Sequence, residues 1–135
     1  MNKMSRYSIS IFALIFSTSI YAQEPLTIDR QLPTNIQFNF ANPNNITPQK
    51  SDFEIKSAIP MSSEDGQRWV LLTINNSASG NRTLNQRHLL ATLADGSKVK
   101  PAAFSQPFKA EETLSISVYF TNSSFPIILV TSNPN

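Results

Sequence analysis

Cysteine is absent from the 135 residues of this chain, which also contain a single histidine, His88, and only three glycines. Without cysteine, the fold has neither disulfides nor thiolate ligands. A zinc or copper centre needs several histidine, cysteine or methionine side chains, and a phosphate-binding loop needs clustered glycines. We therefore expect no cofactor and no metal-binding residues. Stability has to come from apolar burial and strand pairing.

Side chains capable of acid–base catalysis are also few. Only His88 could act as the base for a nucleophile, and the adjacent Arg87 opposes its protonation. No Gly-x-Ser-x-Gly motif occurs. The neighbouring acidic pairs, Glu64-Asp65 and Glu111-Glu112, are typical of solvated turns. We expect no catalytic residues and a protein that is not an enzyme; a hydrolase with paired carboxylates stays the alternative.

The apolar run near the N-terminus is too short to cross a bilayer, which takes about 20 residues. This run, Ile9 to Phe16, follows Lys3 and Arg6 and precedes a small residue, Ala22. A positive segment, a short apolar segment and a small residue at the cut are typical of a secretory signal. The sequence predicts a signal peptide over residues 1–22, an N-terminal helix cleaved at Ala22. The protein is then periplasmic or secreted, with no stable membrane anchor.

The small excess of positive charge disappears with the signal peptide. The whole chain has 11 Lys and Arg against 9 Asp and Glu, and removal of Lys3 and Arg6 leaves nine of each. Nucleic-acid binders carry a basic excess, so we expect no nucleic-acid partner. Disulfides are permitted outside the cytoplasm but are not used here, which favours the envelope of a bacterium.

Seven short segments have the apolar pattern of strands, separated by turn residues about every ten positions. They are residues 36–40, 53–59, 69–74, 88–93, 97–100, 114–120 and 127–130. Asp95-Gly96 between two of them is a strong hairpin signal, and Leu84 is expected to tuck into the core. We interpret residues 23–35 as a flexible leader and residues 36–132 as one all-β domain, a seven-stranded antiparallel sandwich. A small β-barrel is the alternative.

The second half of the chain resembles a family of bacterial extracytoplasmic immunoglobulin-like domains, also called telokin-like. The resemblance covers residues 69–132 and lies in an apolar strand ending in Asn, a plugging Leu, a strand ending in Asp-Gly, a turn and an alternating strand. These parts correspond to Trp69 to Asn75, Leu84, His88 to Gly96, Ala110-Glu111-Glu112, and Leu114 to Phe120. The family has glycine in the turn where this chain has Ala110 or Glu111. The resemblance implies an immunoglobulin-like fold and an extracytoplasmic location, but no particular activity.

Aromatic residues give the remaining candidates for function. In the 69–74 run, either alternate set of side chains can face the core. If the even-numbered residues point inward, Trp69 and Leu71 lie on the outer face with Tyr119, and these three are the candidate binding residues. If the odd-numbered residues point inward, Trp69 is the core tryptophan of the sandwich. The cost of exposing a large aromatic side chain favours this second arrangement.

These observations lead to a hypothesis of a non-catalytic, exported β-sandwich. It binds another envelope or surface protein as an accessory, inhibitory or assembly factor. One alternative is a structural subunit of a surface fibre or pilus, joined by strand exchange. Another is a carbohydrate or small-ligand binding module that uses Trp69 and Tyr119. The sequence does not fix the oligomeric state.

Overall fold

The computed structural model describes residues 24–33 and 46–135, and more than half of these residues lie in strands. The described part contains no α-helix, only a single turn of 3-10 helix at Gln86–His88. It therefore has no helix of the length and apolar character needed to span a membrane. The predicted signal peptide, residues 1–22, and the strand predicted at residues 36–40 lie outside the described residues.

The described residues form eleven strands, four of them only two residues long, which build several sheets. The strands are β1 (Thr27–Ile28), β2 (Lys50–Ser51), β3 (Phe53–Ser62), β4 (Gln67–Asn76), β5 (Arg82–Asn85), β6 (Leu90–Leu93), β7 (Lys98–Val99), β8 (Ser105–Phe108), β9 (Thr113–Asn122), β10 (Ile127–Thr131) and β11 (Asn133–Pro134). The sheets have the orders β1-β3-β4-β9, β10-β6-β7 and β5-β8, all antiparallel, with a parallel pair of β2 and β11. The prediction of an all-β fold is confirmed at this level.

The four-stranded sheet contains the three longest strands, and β3 and β4 are its two inner strands. Along β4, burial alternates: Val70, Leu72 and Ile74 are fully buried, whereas the residues between them are half-buried. This period of two is that of a strand with one face on the core. The expectation that Trp69 is a core residue is therefore wrong, because the bulky even-numbered side chains fill the core and leave Trp69 on the outer face.

The second sheet is organised by the hairpin of β6 and β7. Asp95-Gly96 forms its turn, with Gly96 at a φ of 86°, a conformation that glycine adopts without steric cost. All four residues of β6 are buried, since this strand lies between β7 and β10. The hairpin predicted from the sequence is confirmed, although the strand before it begins at Leu90 rather than at His88.

One apolar core is shared by the sheets. It combines side chains of β4 and β9 with those of the second sheet and of the β5-β8 pair, among them Leu72, Val118, Leu93, Leu84 and Phe108. Full burial of side chains of this size contributes roughly 1.5–3 kcal/mol each. Leu84 is completely buried, as expected, and it enters the core from β5.

Part of the segment interpreted as a flexible leader lies along the edge of β3. The main-chain N–H of Asp29 donates to the carbonyl of Pro60 at 2.9 Å, and that of Leu32 to the carbonyl of Ala58 at 3.0 Å. Pro60 therefore lies inside β3, although the sequence predicts that it ends the strand. A proline fits there because the missing N–H is not needed on the side that faces β1.

Candidate binding surface

The outer face of the four-stranded sheet carries a continuous apolar row. Ile28 of β1 lies opposite Met61 of β3, Met61 opposite Trp69 of β4, and Trp69 opposite Tyr119 of β9. Residues directly opposite one another in antiparallel strands point to the same face. The row thus crosses all four strands, and Ile28 at its end is 68% exposed.

A second, shorter row adds to the first. Ile59 of β3 lies opposite Leu71 of β4, which lies opposite Ser117 of β9. Both apolar side chains are half-buried. We call the six apolar side chains of the two rows the apolar face: Ile28, Ile59, Met61, Trp69, Leu71 and Tyr119. None of them carries a charge. The sequence-based candidates Trp69, Leu71 and Tyr119 are thus brought together.

On the outer face of the sheet, rows of polar side chains border the apolar face on the side of the C-terminal end of β4. The hydroxyl groups of Thr73 and Ser115, on adjacent strands, are 2.9 Å apart and hydrogen bonded. The next row pairs Asn75 with Thr113, and the Asn75 amide Nδ2 donates to the Thr113 hydroxyl at 3.0 Å. Because these side chains satisfy one another, the outer face changes from polar to apolar within two residues along β4.

A chain of hydrogen bonds fixes the indole of Trp69. Its Nε1 donates to Oε1 of Gln67 at 3.0 Å, and Nε2 of Gln67 donates to Oδ2 of Asp65 at 3.1 Å. The Ser63 hydroxyl donates to the other oxygen of Asp65. The hydrogen bonds from Ser63 and Gln67 hold the pKa of Asp65 below its usual value. The turn between β3 and β4 thus determines how the Trp69 ring is presented.

A second network fastens β1 to the rest of the sheet. The Ser62 hydroxyl donates to the carboxylate of Asp29 at 2.5 Å, and Arg68 donates to the same hydroxyl through a guanidinium nitrogen. Nε of Arg68 also donates to the carbonyl of Ser123 at 2.9 Å, and Thr27 donates to the Ser62 carbonyl at 3.1 Å. These bonds hold Ile28 in line with Met61 and so complete the longer row.

His88, the one histidine, has a structural environment. Its Nδ1 accepts the main-chain N–H of Asn85 at 3.2 Å, and its ring lies 5.5 Å from that of Phe53. Partial burial, and secondarily the positive charge of Arg87, lower its pKa. A neutral imidazole is the form that can accept this hydrogen bond. No serine hydroxyl or carboxylate in the described part of the chain bonds to His88.

The acidic pairs identified in the sequence also act on neighbouring backbone. Asp65 accepts hydrogen bonds within its turn, and Oε2 of Glu112 accepts the main-chain N–H of Lys109 at 2.7 Å. Among residues 24–33 and 46–135, no group of three or more His, Asp or Glu side chains is placed to hold a metal ion.

Ile28, Ile59 and Met61 belong to the apolar face but are not identified by the sequence analysis. A simple alternation along residues 53–59 puts Ile55 and Ile59 on the same side. A bulge between Ile55 and Ser57 shifts the register, so that Ile55 packs against the core while Ile59 points outward. The exposed aliphatic residue Ile28, in a leader with few other apolar residues, is the one signal that could have indicated this half of the face.

No family model, curated protein or solved structure matches the chain. The resemblance of residues 69–132 to telokin-like domains therefore stays a prediction. What the surface binds has to be inferred from the chemistry of the described residues.

Proposed function

We propose that this chain is an exported, non-catalytic protein that binds another protein of the bacterial envelope through the apolar face. The observation that carries the proposal is the row from Ile28 to Tyr119, an uncharged strip of large side chains across the whole width of the sheet. Contiguous apolar surface of this kind is a feature of protein–protein contact sites. Tryptophan and tyrosine are also enriched among the residues that dominate binding energy.

The positions of the aromatic side chains support a protein partner. Trp69 and Tyr119 are half-buried, so each is held by its neighbours yet has surface left to cover. The indole N–H is already paired with Gln67, and covering the ring does not leave that donor unpaired. Association therefore buries apolar area without a large cost in lost hydrogen bonds.

The fold that we propose for the described strands is an immunoglobulin-like sandwich. Support comes from the shared core between the β1-β3-β4-β9 and β10-β6-β7 sheets. β4 pairs with β9, and β6 pairs with β10, although the strands of each pair are distant in sequence. Such pairing is expected in a sandwich whose chain crosses from one sheet to the other. In this arrangement the outer face of the four-stranded sheet is available to a partner.

Site-specific photocrosslinking in cells tests the proposed function. A photoreactive amino acid at Leu71 should yield one discrete crosslinked product with a second protein. The same amino acid at Asp95, in the hairpin of the other sheet, is the control and should yield none. Trp69→Ala in the Leu71-labelled chain should abolish the product. Equal products from both positions, or none from Leu71, would contradict the proposal.

Export is tested separately. The proposed cleavage at Ala22 predicts that protein isolated from the cell envelope begins at Gln23. Intact-mass measurement and N-terminal sequencing of that fraction check the cut. Recovery of the full-length chain from the cytoplasm alone would contradict export without bearing on the binding surface.

A further inference from the structure

Among residues 24–33 and 46–135, strand β9 has a strand neighbour on one edge only, where it pairs with β4. Along the other edge lie two open cavities, of about 320 Å³ and about 540 Å³. Gln106 of β8 lines both of them. The smaller cavity is bordered by Ile116 and Tyr119, and the larger by Leu114. Together they form a cleft that follows β9 and has β8 as its opposite wall.

The hydrogen bonds of the backbone show which main-chain groups face this cleft. The carbonyl of Glu112 accepts from Asn76 at 2.8 Å, on the side of β4, and the carbonyl of Tyr119 accepts from Ala102 at 3.0 Å, on the opposite side. Main-chain groups alternate between the two edges of a strand. The N–H and C=O groups of Ser115 and Ser117 therefore point into the cleft, where the described residues offer them no backbone partner.

The inward side chains of β9 are also incompletely covered next to the cleft. Val118 and Phe120 are buried, at 4% and 5% exposed. Leu114 and Ile116 point to the same side of the strand but are only half-buried. Leu114 and Ile116 thus lie in the part of β9 that has no described strand on its cleft side. An additional strand in the cleft would pair with this free edge and would also cover the two side chains.

The charge of the cleft limits what can occupy it. Residues 113–122 of β9 and residues 102–108 opposite contain no charged side chain. Charges occur at one end only, where Lys109, Glu112 and Arg82 line the larger cavity. Exposed strand edges are normally protected by lysine, proline or a charge that points inward. The free stretch of β9 has none of these, so an uncharged occupant is the complementary one.

We propose that the cleft receives one extended strand of the partner protein, an uncharged segment with apolar residues at alternate positions. This strand bonds to the main chain of Ser115 and Ser117 and covers Leu114 and Ile116. The inference rests on the proposed function and adds the form in which the partner binds. Trp69 and Tyr119 also line the smaller cavity, so a partner that supplies this strand lies next to the apolar face.

A peptide titration followed by NMR tests the proposal on the purified protein. The probe is an acetylated and amidated nonapeptide of alternating threonine and valine. The matched control is the same peptide with N-methyl groups on alternate residues. The methyl groups remove the N–H donors from one edge of the peptide strand. Addition of the probe should slow amide exchange at Ser115 and Ser117 about tenfold or more, whereas the control should not. Equal effects of the two peptides, or no effect, would overturn the proposal.

The exchange rates of the free protein are a test in themselves. Ser115 and Ser117 should exchange quickly before any peptide is added, because no main-chain acceptor in the described part of the chain is bound to them. Strong protection of both amides in the free protein would mean that another segment of this chain, or a second copy, already occupies the edge. Concentration dependence of that protection distinguishes a second copy from the same chain, and either result overturns a partner-supplied strand.

Ser117→Pro gives a variant that separates this inference from the proposed function. Proline removes the N–H of residue 117, one of the two that face the cleft, and spares the hydrogen bonds to β4. It should weaken binding of the nonapeptide about tenfold and remove the crosslinked product from Leu71. Loss of that product in Trp69→Ala but not in Ser117→Pro would retain the proposed function and reject the strand. Ser115→Pro makes the same test if Ser117→Pro does not fold.

Discussion

Trp69 and Tyr119 lie opposite each other on β4 and β9, with ring centroids 5.2 Å apart and ring planes inclined by 50°. Both rings are on the outer face of the sheet, although the adjacent side chains, Val70 and Val118, are buried in the core. Tilted aromatic pairs attract each other beyond what their contact area gives. The pair therefore stabilises the sheet from the side that faces away from the core.

The first prediction concerns the energy of this pair. Trp69→Ala should lower the free energy of unfolding by about 1–2 kcal/mol, because it removes a half-buried ring and its contact with Tyr119. Leu72→Ala, at an inward position of β4, should cost about 2–5 kcal/mol, because it leaves a cavity in the core. Urea denaturation of the two variants measures both values.

A double-mutant cycle completes this test. Trp69→Ala combined with Tyr119→Ala should show a coupling of about 0.5–1.5 kcal/mol. Trp69→Ala combined with Leu84→Ala, on a different strand and in the core, should be additive within about 0.5 kcal/mol. Equal costs of Trp69→Ala and Leu72→Ala would contradict the placement of the indole on the outer face.

The second prediction concerns Asn76, which is completely buried at the end of β4. Its Nδ2 donates to the carbonyls of Lys109, at 2.7 Å, and Gly80, at 3.0 Å, and its Oδ1 accepts the N–H of Ala78 at 3.1 Å. Asn76→Leu keeps the volume but removes all three of these hydrogen bonds. We expect a loss of about 2–4 kcal/mol.

Asn75 supplies the matched control for that substitution. It precedes Asn76, is half-exposed, and donates to Thr113 and to carbonyls of the turn before β9. Water can replace those bonds, so Asn75→Ala should cost about 1 kcal/mol or less. Thermal or urea unfolding of the two variants gives the comparison. Similar costs would show that the bonds of Asn76 are not critical for this corner of the fold.

The third prediction is a pH dependence that arises from His88. Burial lowers its pKa from the ordinary value of 6.5, so the folded protein binds this proton less readily than the unfolded chain. Stability is therefore complete above the unfolded pKa and is lost as the pH falls through 6.5 toward the folded pKa. Protonation also removes the acceptor of the Asn85 N–H.

His88→Gln identifies this contribution. The glutamine side chain retains an acceptor but does not titrate, so the variant should show a flatter pH dependence of stability between pH 5 and 7. The measurement is the urea midpoint across this range for both proteins. Aspartates such as Asp52 and Asp95, whose pKa values are lowered by hydrogen bonds, lose protons at lower pH and do not interfere. Parallel curves for the two proteins would contradict the assignment.

Residue patterns alone were sufficient for the strongest elements of the fold. The alternation of Leu114 to Phe120 predicted β9, and Asp95-Gly96 predicted the β6–β7 hairpin. In both, the local pattern and the tertiary environment agree, because one face is apolar and the turn needs glycine at positive φ. The unbroken apolar run after Trp69 predicted a central strand, but it did not predict which alternate set of side chains faces the core. Either set of side chains could fill the core, and only the volume of the facing residues decides.

The elements that were missed depend on long-range contacts. β8 contains Pro107 and has no clear alternation, and it forms a strand because it pairs with β5. β1 and β11 are two residues each and exist through pairing with β3 and β2. A bulge such as that near Lys56 leaves no mark in apolar periodicity, yet it moves Ile59 to the outer face. The candidate surface was therefore half predicted, in the strands where the pattern is regular.

The last prediction concerns the turn before β9, which contains Ala110-Glu111. Glu111 has a φ of 56°, the one positive φ at a residue other than glycine in the described part of the chain. Its N–H donates to the carbonyl of Ala78 at 3.1 Å, so the turn is held in place despite the cost of this conformation. Glu111→Gly should raise the free energy of unfolding by about 0.5–1 kcal/mol.

Ala110→Gly is the control for this substitution, because Ala110 does not have a positive φ. Glycine there only adds freedom to the unfolded chain and should lower stability by about 0.5–1 kcal/mol. The two neighbouring substitutions are therefore expected to have opposite signs in the same urea experiment. If Glu111→Gly destabilises the protein as Ala110→Gly does, the left-handed conformation at Glu111 is not retained in solution, and the turn has a different geometry from that described.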